Sequence, residues 1–258
     1  MPQDAFALAD DARERLEQLR SALNRHIRNL LMKLATKDGV LRRDEVVNAH
    51  AVATEVLQAI RQRGAVAIPS FLEEVAARVV TNIIKPGEAP PGFAANVGPE
   101  IDAIVRGQTR EISAVFGRAH DAVRQAIDRG ISTSAPLAEL IDEVAARVDA
   151  SFAQASSAVD TGIVATGRSI IIRQAQASGD GGGEEMVFKY VGPRDSKVRE
   201  FCREQVGKYF TVAALDRLDN GAHQPKPVSR FCGGYLCRHS LAPIPRFHVE
   251  EQGFKVQE

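Results

Sequence analysis

Apolar residues recur at three- and four-residue spacing along most of the chain before position 176, the period of helices with one buried face. Leu16, Leu19, Leu23, Ile27, Leu30 and Leu34 form the first stripe, with arginine and glutamate between them, and Gly39 closes it. Asp44 caps a second helix carrying Val47, Ala51, Val52, Val56 and Ile60. Pro69 and Ser70 open a third through Phe71, Val75, Val79 and Ile83, which Pro86 and Gly87 terminate. A proline- and glycine-rich loop is expected over 85–98. The spacing then predicts a fourth helix over 99–129, with Ile101, Val105, Ile112, Val115, Ala119, Val123 and Ile127 on one face and Gly130 as its stop. Ser134 caps a short fifth, whose buried side is Leu137, Leu140, Ile141, Val144 and Val148. A sixth, 150–176, is rich in small residues (Ala153, Ala155, Ser156, Ser157, Ala158, Gly162, Ala165, Gly167). Small side chains let helices approach closely, so this one is expected inside a bundle or against a partner. The leucine stripe of the first helix reads as the core face of a bundle, with a partner-docking coiled coil as the sharper alternative.

The pattern changes at Ala177-Ser178-Gly179-Asp180-Gly181-Gly182-Gly183, which neither a helix nor a central strand favours. The three glycines lack the Gly-x4-Gly-Lys-Ser/Thr pattern of a phosphate loop, and a helix precedes them where a strand should, so they read as a linker. Beyond it, Met186–Val191 reads as a strand and Gly192-Pro193 as a turn. Short helices are expected over 196–206 and 211–218, the second capped by Thr211, with Asp219-Asn220-Gly221 as a turn. The last strand-like pieces are 242–245 and 246–249. The fold class is therefore mainly α: a long-helix N-terminal region over 1–178, a glycine-rich linker over 179–185, and a small α+β C-terminal module over 186–258.

Composition sharpens this division. Of the fourteen phenylalanines and tyrosines, nine lie after position 176, as do all three cysteines, Cys202, Cys232 and Cys237. Three cysteines cannot form a fully paired framework, so a disulfide-stapled fold is not expected and a reducing compartment is. No apolar run approaches the roughly 18 residues of a bilayer span, and 1–10 lack a basic segment followed by an apolar one, so no membrane association is expected. The 33 basic and 33 acidic residues cancel overall, which excludes a broadly polybasic protein. Within Met186 to Arg246, however, eleven lysines and arginines meet five acids, with aromatic residues interleaved. That composition suits contact with nucleic-acid phosphates and suits an ordinary basic surface equally.

The Cys/His group carries the sharpest chemistry. Thiolate and imidazole are preferred zinc ligands, and a small module gains much from a metal crosslink. Cys202, Cys232, Cys237 and His239 form a possible zinc set, although the spacing lacks paired Cys-x2-Cys knuckles, and buried, reduced cysteines in an aromatic core are the plainer reading. The same residues written as an enzyme would be Cys202 or Cys237 activated by His239 or His223. Only Arg203 beside Cys202 and Arg238 beside Cys237 offer local activation. Asp195 with Arg199, and Glu200 with Arg203, have the spacing of solvated ion pairs.

Taken in order, Lys189-Tyr190-Val191-Gly192-Pro193-Arg194-Asp195, Arg199-x2-Cys202, Gly207-Lys208-x-Phe210-Thr211, Leu218-Asp219-Asn220-Gly221 and Gly233-Gly234-Tyr235-x-Cys237-Arg238-His239 follow one pattern. It resembles the C-terminal module of bacteriophage head morphogenesis proteins, the minor capsid proteins similar to the F protein of phage Mu. The resemblance rests on about 186–246, and upstream it is one of helix content alone. Many members have Cys-x2-Cys where Cys202 is followed by Gln205, and a histidine ahead of a closing Cys-Arg-Cys where this chain has Cys232 and then Cys237-Arg238-His239.

The resemblance implies a structural virion protein without catalytic residues: a minor head component near the portal, in multiple copies, acting in head morphogenesis and in packaged-DNA handling or ejection. It would be found in the phage head interior or neck, and in host cytoplasm during assembly. Partners would be portal and capsid proteins, with double-stranded DNA as a further one. Contacts would come from Lys189, Arg194, Lys197, Arg199, Arg203, Lys208 and Arg238. The motif residues proper are Asp195, Cys202, Asn220, Gly221, Gly233, Gly234, Tyr235, Cys237 and His239. Two alternatives stand beside it: a zinc-stabilised nucleic-acid-binding module, and a small hydrolase or nuclease-like domain using Asp195, Arg199, Cys202 and His239.

Overall fold

The computed structural model describes residues 3–41, separate positions between 50 and 81, 93–180, 185–221 and 225–258. Three long helices, α1 (Gln3–Leu34), α2 (Phe93–Thr133) and α3 (Leu137–Asp180), precede a small sheet region. The fold is mainly α with a small α+β module at the C-terminal end, as the periodicities imply. No described helix is long and apolar enough to cross a membrane.

Contacts divide the residues into two compact units. One comprises Asp10–Leu72 and Arg106–Ser156; the other comprises Met1–Ala9, Glu73–Val105 and Ser157–Glu258. The division falls within α2 and α3, not at the glycine-rich segment.

In the helical unit, Leu16, Leu23, Ile27, Leu30 and Leu34 are buried along α1, with Leu31 beside them, and Leu19 is half-buried. Ile112, Val115, Phe116, Ala119, Val123 and Ile127 of α2, and Leu140, Val144, Val148 and Phe152 of α3, supply the rest of its apolar interior. Polar clasps lie at its margin: Asn24 donates to Asp149 at 3.1 Å, and the Arg118 Nε donates to Ser151 at 3.1 Å. The second and third expected helices fall largely outside the described residues, including Asp44, Val47, Val52, Val56, Ile60, Pro69, Phe71, Val75, Val79, Ile83, Pro86 and Gly87. The positions described around them, among them Ala51, Thr54, Leu72 and Thr81, are helical.

Four expected boundaries move. Of the loop expected over 85–98, positions 93–98 belong to α2, where Val97 is buried, and 85–92 lie outside the described residues. Pro99 sits inside that helix, at a cost of one backbone donor. Gly130 does not stop α2. A Cβ there would come 2.6 Å from Leu140 and 2.7 Å from Leu41, so the glycine serves close packing rather than termination. The turn follows four residues later at Ser134, whose φ of +55° reverses the chain, and the first N–H of α3, that of Leu137, is taken by the Gly39 carbonyl at 2.8 Å. The expected fifth and sixth helices are one 44-residue helix, since neither Asp149 nor Ala150 carries a breaking signal. Along it Ala155, Ala158, Gly162, Ala165 and Gly167 are buried and Ala153 is exposed.

The other unit contains a four-stranded sheet in the order β3-β1-β2-β4. Its strands are β1 (Met186–Val191), β2 (Tyr209–Phe210), β3 (Ser240–Pro245) and β4 (Val256–Gln257). Central β1 pairs antiparallel with β2 and β3, and β2 pairs parallel with β4. Alternation along β1 sends Phe188 and Tyr190 to one face and Val187 to the other, and both faces are buried. Phe188, Tyr190, Phe210 and Leu241 pack with Ile172 and Ala175 of α3 and with all three cysteines. The last turns of α3 thus belong to the module's core, so its compact unit reaches back past the expected boundary at 178. Of the linker, 181–184 lie outside the described residues, while Gly179 and Asp180 are helical.

Between the strands lie α4 (Glu200–Gln205), α5 (Val212–Arg217), α6 (Val228–Phe231) and α7 (Arg246–Glu251). Helix α4 is shorter than the expected 196–206, because Asp195 holds a turn: its carboxylate accepts the Lys197 N–H at 3.0 Å and its carbonyl the Val198 N–H at 3.2 Å. Thr211 caps α5 by accepting from Ala214. The segment expected as a strand over 246–249 is helix α7. Pro245 ends β3, Arg246 reaches Glu250 one helical turn on at 2.8 Å, and Val249 turns inward.

Candidate functional site

Cys202, Cys237 and His239 meet inside the module. Cys202 lies on the buried face of α4, Cys237 closes the loop that follows α6, and His239 immediately precedes β3. Their ligating atoms all lie within 4.8 Å of one another. The Cys202 and Cys237 sulfurs are 3.6 Å apart, and the His239 Nδ1 is 3.6 Å from the Cys237 sulfur. All three residues are buried. Cys232, also fully buried in the same core cluster, stands outside this closest triple.

The local backbone is shaped for this approach. Cys232 (φ +49°) and Leu236 (φ +54°) adopt the left-handed region that side-chain-bearing residues avoid, so 232–237 is a tight loop held against its own preference. At Gly233 a Cβ would come 2.3 Å from the Cys202 sulfur and 3.3 Å from that of Cys237. At Gly192 a Cβ would meet the His239 ring at 2.3 Å. Asn220, buried in the turn after α5, donates to the Cys232 carbonyl at 3.2 Å and holds the loop's first residue. Gly221 takes a φ of +68° in that turn, and its N–H is accepted by Asp219.

The protonation pattern follows from the partners. The His239 Nε2 lies 3.0 Å from the Pro193 carbonyl, which can only accept, so Nε2 carries a hydrogen and Nδ1 is the ring nitrogen that faces the sulfur. The Gly233 N–H donates to the Cys237 sulfur at 3.2 Å, and the Tyr190 hydroxyl donates to that of Cys202 at 3.4 Å. Hydrogen bonds from Cys202 and Cys232 hold the Cys237 thiol well below the usual range. Cys202 is pushed up by sharing with Cys237 and by burial, and Cys232 by burial foremost.

One contributor lies outside the residues that the sequence singles out. Arg168 of α3, 2% exposed, donates to the carbonyls of Arg230 and Cys237, at 3.1 and 2.8 Å, and to that of His239. Its signal was present: a single cation between the small Gly162–Gly167 stretch and the Ile170-Ile171-Ile172 run. Thr161 also holds the loop, accepting the Leu236 N–H at 3.0 Å.

No family model, curated protein or solved structure matches the chain. Function is therefore read from this geometry and from the motif.

The remaining motif residues brace the same loop. Arg238 pairs with Asp195 through two bonds of 2.8 and 2.6 Å, and its guanidinium holds the exposed carboxyl down to about 2. Arg199 donates to the Tyr235 carbonyl at 2.6 Å. Gly234 (φ +89°) supplies a turn within the loop, and Tyr235 stands partly exposed at its tip. Of the other basic residues proposed to contact DNA or a partner, Arg194 donates to the Val206 carbonyl, Arg203 to that of Val198, and Lys208 to Gln205. Lys189 lies over the Tyr209 ring at 5.2 Å, and Lys197 is exposed. His223 lies outside the described residues.

The hydrolase-like quartet is split between two environments. Cys202 and His239 are sealed in the core, whereas Asp195 is engaged with Arg238 at the surface. A general acid or base must reach its substrate's proton, and these two buried groups face each other's neighbours instead.

Proposed function

We propose that the chain is a structural protein of a phage particle, a minor head component near the portal that acts in head morphogenesis and in handling packaged double-stranded DNA. The observation that carries this reading is how the motif residues are used. Asp195, Arg199, Asn220, Gly233, Cys237, Arg238 and His239 all shape or brace one loop and its anchorage. A motif spent on rigidity suits a module that presents a fixed surface to an assembly. The exposed Tyr235 and Leu236 at the loop tip, flanked by Arg199 and Arg238, then form the surface offered to portal or capsid protein.

DNA contact belongs to the same proposal as a secondary role. Arg194, Arg199, Arg203 and Lys208 each keep donors beyond the single bond they make within the module, enough for phosphate oxygens. Mass spectrometry of purified virions tests the assignment: the chain is expected at low copy, and its absence from particles would overturn it. Retention on a duplex-DNA column is expected to weaken steeply with salt. Salt-insensitive retention would remove the phosphate role.

A further inference from the structure

We propose that Cys202, Cys232, Cys237 and His239 form a closed site for one zinc ion that fastens the module. This goes beyond the virion reading and does not depend on it. A tetrahedral zinc ion, with sulfur at about 2.3 Å and nitrogen at about 2.0 Å, separates its ligand atoms by about 3.5–3.8 Å. Both edges seen here, sulfur to sulfur and sulfur to imidazole nitrogen, measure 3.6 Å.

The surroundings match the same requirement. A ligating histidine donates its other N–H to an oxygen, and His239 does so to Pro193, which leaves Nδ1 on the side of the sulfurs. A metal thiolate accepts backbone N–H groups, and Gly233 supplies one to Cys237. Gly192 and Gly233 are positions where a methyl group would strike the imidazole and the Cys202 sulfur respectively. Gly192 thus leaves room for the imidazole ring, and Gly233 for the sulfurs of Cys202 and Cys237.

Charge identifies the fourth ligand. Three thiolates and a neutral imidazole around a divalent cation leave one negative charge. Arg168, buried against the carbonyls of Cys237 and His239, supplies one positive charge, and no carboxylate pairs with it among the described residues. Cys232 is the third sulfur, fully buried in the same core cluster as Cys202 and Cys237, although its sulfur stands outside the closest triple. With four protein ligands and no exposed one, the site is structural and not catalytic. It ties α4, the 232–237 loop and the start of β3, segments joined otherwise by a small core, and small domains gain most from such crosslinks.

The full chain, purified under reducing conditions without chelator, is expected to carry about one zinc. Titration of the stripped chain with cobalt(II) is expected to give intense tetrahedral d–d bands and a thiolate charge-transfer band saturating near one equivalent. The cysteines are expected to resist alkylation until a chelator is added. Cys232→Ser should lower the charge-transfer intensity and weaken cobalt binding by about tenfold or more. The wild-type spectrum and alkylation pattern decide the matter even if variants fail to fold. A pale octahedral cobalt spectrum without the sulfur band, alkylation indifferent to chelator, or a Cys202–Cys237 disulfide in the reduced preparation would each overturn the proposal. An unchanged spectrum in Cys232→Ser would overturn the assignment of the fourth ligand.

Discussion

The helical unit and the C-terminal module solve the problem of folding in opposite ways. In the first, stability is spread over many similar contacts: leucines, valines, isoleucines and alanines of α1, α2 and α3 bury one face each, and a neighbour can compensate for much of any single loss. In the second, a few residues have no substitute. One guanidinium serves three carbonyls, two glycines leave room for a sulfur and an imidazole, and one asparagine holds the loop. Redundancy and specificity are thus distributed unequally along one chain, and mutational cost should follow that distribution rather than burial alone.

Arg168→Met should reveal the difference most strongly. Methionine fills the space but leaves three carbonyls without their donor, which should cost about 4 kcal/mol. Denaturant unfolding followed by tyrosine fluorescence would measure it, and a loss under about 1 kcal/mol would show that the module is as forgiving as the bundle. Gly233→Ala should follow, at about 3 kcal/mol, because the new methyl group would strike the buried Cys202 sulfur and crowd that of Cys237. Its counterpart in the helical unit is Gly117, exposed in α2, where an added Cβ would meet nothing within 4 Å. There the same change should stabilise by about 1 kcal/mol, through helix propensity. Two glycines of opposite sign in thermal unfolding would express the comparison directly; equal signs would break it.

The smallest effect concerns the exposed Asp195–Arg238 pair. Arg238 lowers the carboxyl from 3.8 to about 2 in the folded chain. The unfolded chain therefore binds the proton more readily, and the pair's contribution is present above about pH 4 and lost as pH falls through about 2. Thermal unfolding of wild type and Asp195→Asn should differ slightly at pH 6 and converge near pH 2. A difference that persists at the lowest pH would show that Asp195 acts through the side-chain hydrogen bond that its Oδ1 accepts from the Lys197 N–H, not through the pair.

Much of the architecture is legible in the amino-acid order. The period of leucines in α1 marks its buried face, β1 is bounded as its alternation and the following Gly192-Pro193 imply, and Thr211 caps α5. The candidates Cys202, Cys232, Cys237 and His239 were readable as a set, since their residue types are scarce and share one chemistry, and the structure brings three of them, Cys202, Cys237 and His239, closest together. What could not be read was the reason for a glycine. Gly130 reads as a helix stop and Gly233 as a motif position, yet one lets Leu41 and Leu140 approach and the other clears space beside a sulfur.

Local outcomes thus follow from the amino-acid order: the helix period, the Thr211 cap, strand β1 and the concentration of aromatic and sulfur-bearing residues near the C-terminal end. These depend on interactions within a few residues, which composition and spacing record. Long-range contacts settle the rest: that α3 runs unbroken into the module's core, that Arg168 lies behind the cysteine loop, and that sulfurs 35 residues apart in the chain stand 3.6 Å apart. Those outcomes depend on which distant surfaces meet. A chain writes down which faces are apolar, but not which face each will find.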